Sequence, residues 1–111
     1  MRTYLLEDIY EADLKKISDA LKELEFTGGL DDLFYIPVPN DLLQDEQKEH
    51  LDECGPYFMA LEMTEGAISI ELLVRGRNKL RCSCVCYATK EQRNHMLDYI
   101  DKFIDDLEIS L

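Results

Sequence analysis

From Tyr57 to Ala88 the chain alternates apolar and polar side chains with a period of two, the mark of strands with two unlike faces. In the middle of this stretch Ile68, Ile70, Leu72 and Val74 fall on one side, and Ala67, Ser69, Glu71 and Leu73 on the other. Further on, Leu80, Cys82, Cys84, Cys86 and Ala88 alternate with Arg81, Ser83, Val85 and Tyr87. Three antiparallel strands in a meander are therefore predicted over 57–88. A two-residue turn at Glu65-Gly66 pairs Met63 with Ile68 and Leu61 with Ile70. A loop at Gly76-Arg77-Asn78, with Asn78 in the left-handed region, pairs Leu72 with Cys82, Ile70 with Cys84 and Val74 with Leu80.

The flanks switch to helical spacing. Leu6, Ile9, Leu14, Ile17, Leu21 and Leu24 recur at three and four, predicting a long first helix over 3–25 that Thr27-Gly28-Gly29 ends. Leu33 to Val38 reads as an extended segment, and Pro37 within it and Pro39 after it, which cannot donate to a ladder, place it at a sheet edge. Asn40 or Asp41 caps a second helix over 42–53, closed by Gly55. A strand, a helix and a strand in this order suggest a crossover, with the edge strand parallel to its neighbour. Thr89 and Gln92 form a capping box that opens a last helix from Lys90 to about Ile109.

The fold class expected from these elements is α+β, one domain over 1–111 in the order α-β-α-β-β-β-α. It has a four-stranded, mostly antiparallel sheet, made of the 57–88 meander and the 33–38 edge strand, with the terminal helices on its Ile/Leu/Cys face. At 111 residues such a chain can bury a core without staples.

Charge narrows the function. The net charge is −12, and it is unevenly placed: residues 1–56 carry −10, 57–89 carry +1 and 90–111 carry −3. A field of this sign repels nucleic-acid phosphates and anionic lipid, so neither partner is expected. No apolar run approaches the ~20 residues of a membrane span, and the first residues do not form a signal peptide. A cytoplasmic location with free thiols is expected.

Two constellations hold most of the candidate chemistry. Cys82, Cys84 and Cys86 stand at alternate positions. On a regular strand such residues lie ~6.6 Å apart, whereas thiolates sharing one zinc must approach to ~4 Å. A single strand would have to bulge to offer two ligands. These cysteines are accordingly expected to be core packing, with no metal and no cofactor. His50 and Cys54 lie four apart on one helix face and are the natural complement if a thiol site exists. As a catalytic pair they are poor, because Cys54 sits at a helix C-terminus among Glu49, Asp52 and Glu53, which oppose a thiolate. The other constellation is the basic stretch Arg75, Arg77, Lys79 and Arg81 on an acidic chain.

No nucleophile elbow, phosphate loop, EF-hand or zincin motif is present, and nothing makes two carboxylates converge, so no catalytic residues are assigned. In outline, a small acidic α+β domain with terminal helices and a mixed sheet face is similar to the type III secretion chaperones, a likeness of architecture alone, and architecture does not imply function. The function expected is a protein-binding module acting through a surface, as adaptor, chaperone or inhibitor, toward another protein or a second copy. Phe58, Leu73, Val85 and Tyr87, with Arg75, Arg77, Lys79 and Arg81, would carry the contact. The alternative is a thiol-based metal or redox protein using Cys82, Cys84 and Cys86 with Cys54 and His50.

Overall fold

The computed structural model of the protein describes residues 2–79 and 81–110. Its elements are β1 (Thr3–Leu6), α1 (Glu11–Glu23), β2 (Leu33–Pro37), a 3-10 turn (Asn40–Leu42), α2 (Asp45–Glu49), α3 (Leu51–Cys54), β3 (Tyr57–Thr64), β4 (Ala67–Glu71), β5 (Leu73–Gly76), β6 (Cys86–Tyr87) and α4 (Lys90–Asp106). The fold is α+β with an antiparallel sheet. β4 and β5 run end to end along one side of β3, and β2 takes its other side. β1 pairs β4 and β6 pairs β5, so these two share the outer row. Six short strands thus make four rows.

The first hairpin has the register its alternation dictates. Met63 faces Ile68 and Leu61 faces Ile70, with Gly66 at φ 76° in the turn. The same face carries Met59, Leu72 and Val74, and onto it pack Ile17 and Leu21 of α1 and Met96, Ile100 and Ile104 of α4. The terminal helices therefore cover the apolar face, as the pattern requires. The α2–α3 pair joins them there through Leu43, Gln47 and Cys54, all buried.

Several expectations are corrected. The long first helix is two elements, because Thr3–Leu6 pairs with β4 (Thr3 opposite Glu71, Leu6 opposite Ile68) and the chain then turns through Asp8 at φ 59°. A free sheet edge outcompetes the helical spacing, which Leu6 and Ile9 matched by coincidence. The helix ends at Glu23, with Glu25 left-handed at φ 63°, ahead of the glycines. β2 is an edge strand but runs antiparallel to β3, Tyr35 opposite Ala60. The α2–α3 pair is too short to carry the chain back along the sheet, so it works as an elaborate hairpin connection. Its cap is Gln44, in a capping box with Gln47, rather than Asn40 or Asp41.

The third meander strand shrinks to Cys86–Tyr87, and its register moves: Val74 faces Cys86. The expected partner Leu80 lies outside the described residues, and neither the Leu72–Cys82 nor the Ile70–Cys84 pairing forms. Two residues of β3 between Phe58 and Leu61 face four between Ile70 and Arg75, a bulge around Leu72 that separates β4 from β5. Asn78 is not left-handed; its amide donates to Gly55 O at 2.6 Å and its backbone N–H to Cys54 O at 3.0 Å. The Thr89/Gln92 capping box is present and α4 stops at Asp106. Among the described residues no helix is long and apolar enough to cross a membrane.

Candidate metal centre

The corrected third strand matters because it frees the cysteines from strand geometry. Residues 82–85 form a turn, closed by Val85 N–H donating to Cys82 O at 3.0 Å. Cys82 and Cys84 sit inside it and both point toward the α2–α3 junction. On that side His50 lies between the two short helices, and Cys54 N–H donates to His50 O at 2.8 Å, which sets the two side chains one helical turn apart. One donor atom each from His50, Cys54, Cys82 and Cys84 lies within 4.8 Å of every other.

The backbones that carry Cys54 and Cys84 are each held in place by neighbours. Gly76 of β5 lies against the backbone of Cys54: a methyl group there would stand 2.5 Å from Cys54 O. Asn78 clamps the same turn from the loop, through Gly55 O and Cys54 O. On the other side a pair of buried glutamines fixes the 82–86 segment. Gln47 donates to Cys84 O at 3.3 Å and to Cys86 Sγ at 3.5 Å. Its Oε1 accepts from Gln92 Nε2 at 3.0 Å and from Gln44 N–H at 2.9 Å. Gln92 also donates to Leu42 O at 3.0 Å. These bonds tie α2, α4 and the cysteine turn together in one network, and among the described residues no buried side-chain polar atom is left without a partner.

The electrostatics of Cys54, Cys82 and Cys86 differ sharply. Cys54 is fully buried, and desolvation pushes its thiol up to about 12. Cys82 is half-buried, and its thiol is brought down to about 6, chiefly because the backbone N–H of Cys84 hydrogen-bonds its sulfur, with further donors in Cys84, Cys54 and His50. His50 Nδ1 stands 2.9 Å from Cys82 Sγ. The Tyr57 hydroxyl stands 2.9 Å from Gln47 O and 3.3 Å from Cys84 Sγ; burial, with Cys84 beside it, raises its own ionisation. Cys86 is outside the cluster, receives bonds from Gln44 and Gln47, and is raised by desolvation.

Three sulfurs and one imidazole nitrogen, buried at Cys54 and Cys84 and half-buried at His50 and Cys82, are the donor set and count of a tetrahedral site. Zinc at ~2.3 Å from each thiolate sets its sulfurs roughly 3.8 Å apart. Donors now as much as 4.8 Å apart would have to draw in by about an ångström to share one ion, and His50 and Cys82, at 2.9 Å, would have to move apart. The expectation that these cysteines are core packing holds for Cys84 and in part for Cys82, which packs against the core, and not for Cys86. Cys84 is buried in the core, Cys82 faces His50, and Cys86 lies at the cluster's margin. His50 pairs with Cys82 rather than with its helical neighbour Cys54.

The surface residues singled out by the sequence divide differently. Phe58, Leu73, Arg75 and Tyr87 share the second face of the sheet, through the pairs Phe58–Arg75 and Leu73–Tyr87. Val85 has left the strand for the cysteine turn. Phe58 is buried under Tyr35, while Arg77, Lys79 and Arg81 are exposed. The α2–α3 pair does not cover this face. Gln47, Gln92 and Tyr57 are the positioning residues sequence reasoning passed over. A glutamine on the apolar stripe of each of two helices was the signal for them.

No family model, curated protein or solved structure matches the chain, so nothing outside its own residues bears on the site or on the likeness to secretion chaperones.

Proposed function

We propose that the protein is a metal-binding protein whose His50, Cys54, Cys82 and Cys84 hold one zinc ion in a closed, structural site. The observation that carries this reading is the convergence of four soft donors within 4.8 Å from segments far apart in the chain. Oxygen donors are absent from the set, which disfavours calcium and magnesium, and three thiolates with an imidazole suit zinc. With no fourth position open to water or substrate, the ion stabilises the fold and does not activate a nucleophile.

The chain's own residues supply the rest. Tyr57 is within reach to donate its hydroxyl proton to the Cys84 thiolate, and the Cys84 backbone N–H to the Cys82 thiolate, which moderates the charge of three sulfurs in a buried place. The ion would fasten α2–α3 to the loop that leads into β6, a segment with only two strand residues and a few side-chain bonds from Gln44, Gln47 and Tyr57. Titration of the chelator-treated, reduced protein with Co(II) tests this. Intense thiolate-to-cobalt absorption with tetrahedral visible bands, saturating at one equivalent, is expected. Weak octahedral absorption, or saturation unaffected by Cys82→Ser, would contradict it.

A further inference from the structure

A second feature stands apart from the metal centre, on the opposite face of the sheet. There a stripe of aromatic and cationic side chains crosses all four rows. The Arg77 guanidinium lies over the Tyr35 ring, 5.1 Å from its centre. Tyr35 stacks on Phe58, ring centres 4.1 Å apart. Phe58 faces Arg75 on β5, and Leu73 of the same strand faces Tyr87 on β6. Arg2 closes the stripe, 4.2 Å over the Tyr87 ring. Four rows at ~4.8 Å spacing make the stripe roughly 15 Å long.

Its charge is opposite to that of the molecule. On a chain of net charge −12 the stripe gathers three arginines, with Lys79 and Arg81 exposed in the adjoining loop. The carboxylates near it are Glu62 and Glu71, and Glu71 is already engaged by Arg75 at 2.8 Å. Arg2 and Arg77 make no ion pair among the described residues; each is held over a ring, which fixes a cation at either end without neutralising it. Between them the floor is apolar and aromatic, with Phe58, Tyr35 and Leu73, and the groove beside it is lined by strand residues alone.

We infer that this stripe is a docking site for an acidic, extended peptide segment of a protein partner. Its carboxylates would pair with the Arg2 and Arg77 guanidinium groups and its apolar side chains would lie on the rings between. Guanidinium groups held in place recognise carboxylates in a fixed geometry, and two anchors this far apart suit an extended chain of about four or five residues. A nucleic acid offers anions and rings as well, but it carries a charge at every nucleotide, over the apolar floor and beyond the stripe against the −12 chain, whereas a peptide needs carboxylates only at the two arginines. The site does not depend on the metal reading.

The test is fluorescence anisotropy with a labelled peptide carrying glutamate, leucine and glutamate at every second position with serine between, so that all three face one side, against the same peptide with lysine for glutamate and a single-stranded oligonucleotide of equal length. Saturable binding of the acidic peptide alone is expected, weakening with salt. Arg2→Glu with Arg77→Glu should lower its affinity at least about tenfold. Lys15→Glu with Lys102→Glu, an equal charge change on exposed helix positions, should leave it within about twofold. Equal loss in both double variants, preference for the oligonucleotide, or no saturable binding would overturn the proposal. So would self-association of the parent that disappears with Arg2→Glu and Arg77→Glu, since the occupant would then be a second copy.

Discussion

His50 Nδ1 stands 2.9 Å from Cys82 Sγ across 32 positions of sequence, and the contact joins a helix junction to a turn that no strand pairing holds. Such a contact is local to neither element. It exists because Gly76, Asn78 and Gln47 position the two backbones, and a metal ion is the simplest group that gives four such side chains a common purpose.

Removal of a ligand should therefore be felt in binding before it is felt in folding. Cys82→Ser and Cys84→Ser are each expected to abolish stoichiometric zinc retention after dialysis against a weak chelator. Cys86→Ser, whose sulfur lies outside the donor set, should retain the ion. Zinc measured per chain after dialysis decides it, and loss in Cys86→Ser with retention in Cys82→Ser would reverse the assignment.

The Tyr57 hydroxyl reaches Cys84 Sγ at 3.3 Å. Tyr57→Phe removes that donor while keeping the buried ring, so zinc affinity should fall by about 10–100-fold, the range for a lost outer-shell partner. Competition with a chromophoric chelator measures it. An unchanged affinity would mean that the hydroxyl serves Gln47 O alone.

Gln47 and Gln92 satisfy each other in the interior. Gln92→Leu should cost about 1–3 kcal/mol, because Leu42 O loses its side-chain donor and Gln47 Oε1 keeps only Gln44 N–H. Gln47→Leu should cost a similar amount, and the double variant clearly less than the sum of the two. Urea denaturation of the four proteins gives the coupling, and simple additivity would deny the network.

Gly76 admits the backbone of Cys54 where a methyl group cannot fit. Gly76→Ala is expected to destabilise the protein by about 1–3 kcal/mol, as overpacking does, and to weaken zinc binding with it. Loss of stability with full zinc affinity would show that the strand yields and not the ligand.

Away from the centre, the Tyr4 hydroxyl donates to Asp101 at 2.7 Å. That bond, then burial and the carboxylate's charge, pushes the phenol from its ordinary 10 up to about 12. The folded protein thus keeps a proton that the unfolded chain loses. The stabilisation is fully present below pH 10 and is lost as pH rises from about 10 toward 12. Tyr4→Phe should be the less stable protein at neutral pH, with the difference closing over that window. Parallel stability curves for parent and variant across it would contradict the assignment.

The first hairpin, the core face and the last helix were legible in the sequence because period and turn chemistry agree there. Met63, Ile68, Leu61 and Ile70 can meet in one register only, and Thr89 with Gln92 announces the helix that follows. The start of the chain was not legible: Thr3 to Leu6 fits a helix by spacing and a strand by residue type, and only the vacant edge of β4 decides. At the centre, His50 and Cys54 were readable as a helical pair and Cys82 with Cys84 as a near pair. What barred joining them was the assumption that alternation continues through 82–86. A turn closed by one backbone bond, Val85 to Cys82, replaces ~6.6 Å of strand spacing with convergence, and hydrophobic pattern carries no sign of it.

The most direct measurement is the zinc content of protein purified in reducing buffer without chelator, with thiol titration of the folded and unfolded forms. One zinc per chain is expected, with Cys54, Cys82 and Cys84 protected in the folded form and all four thiols reactive once it is unfolded in chelator. A folded protein with no zinc, and with Cys82 freely reactive whether or not zinc is added, would contradict a metal centre at His50, Cys54, Cys82 and Cys84.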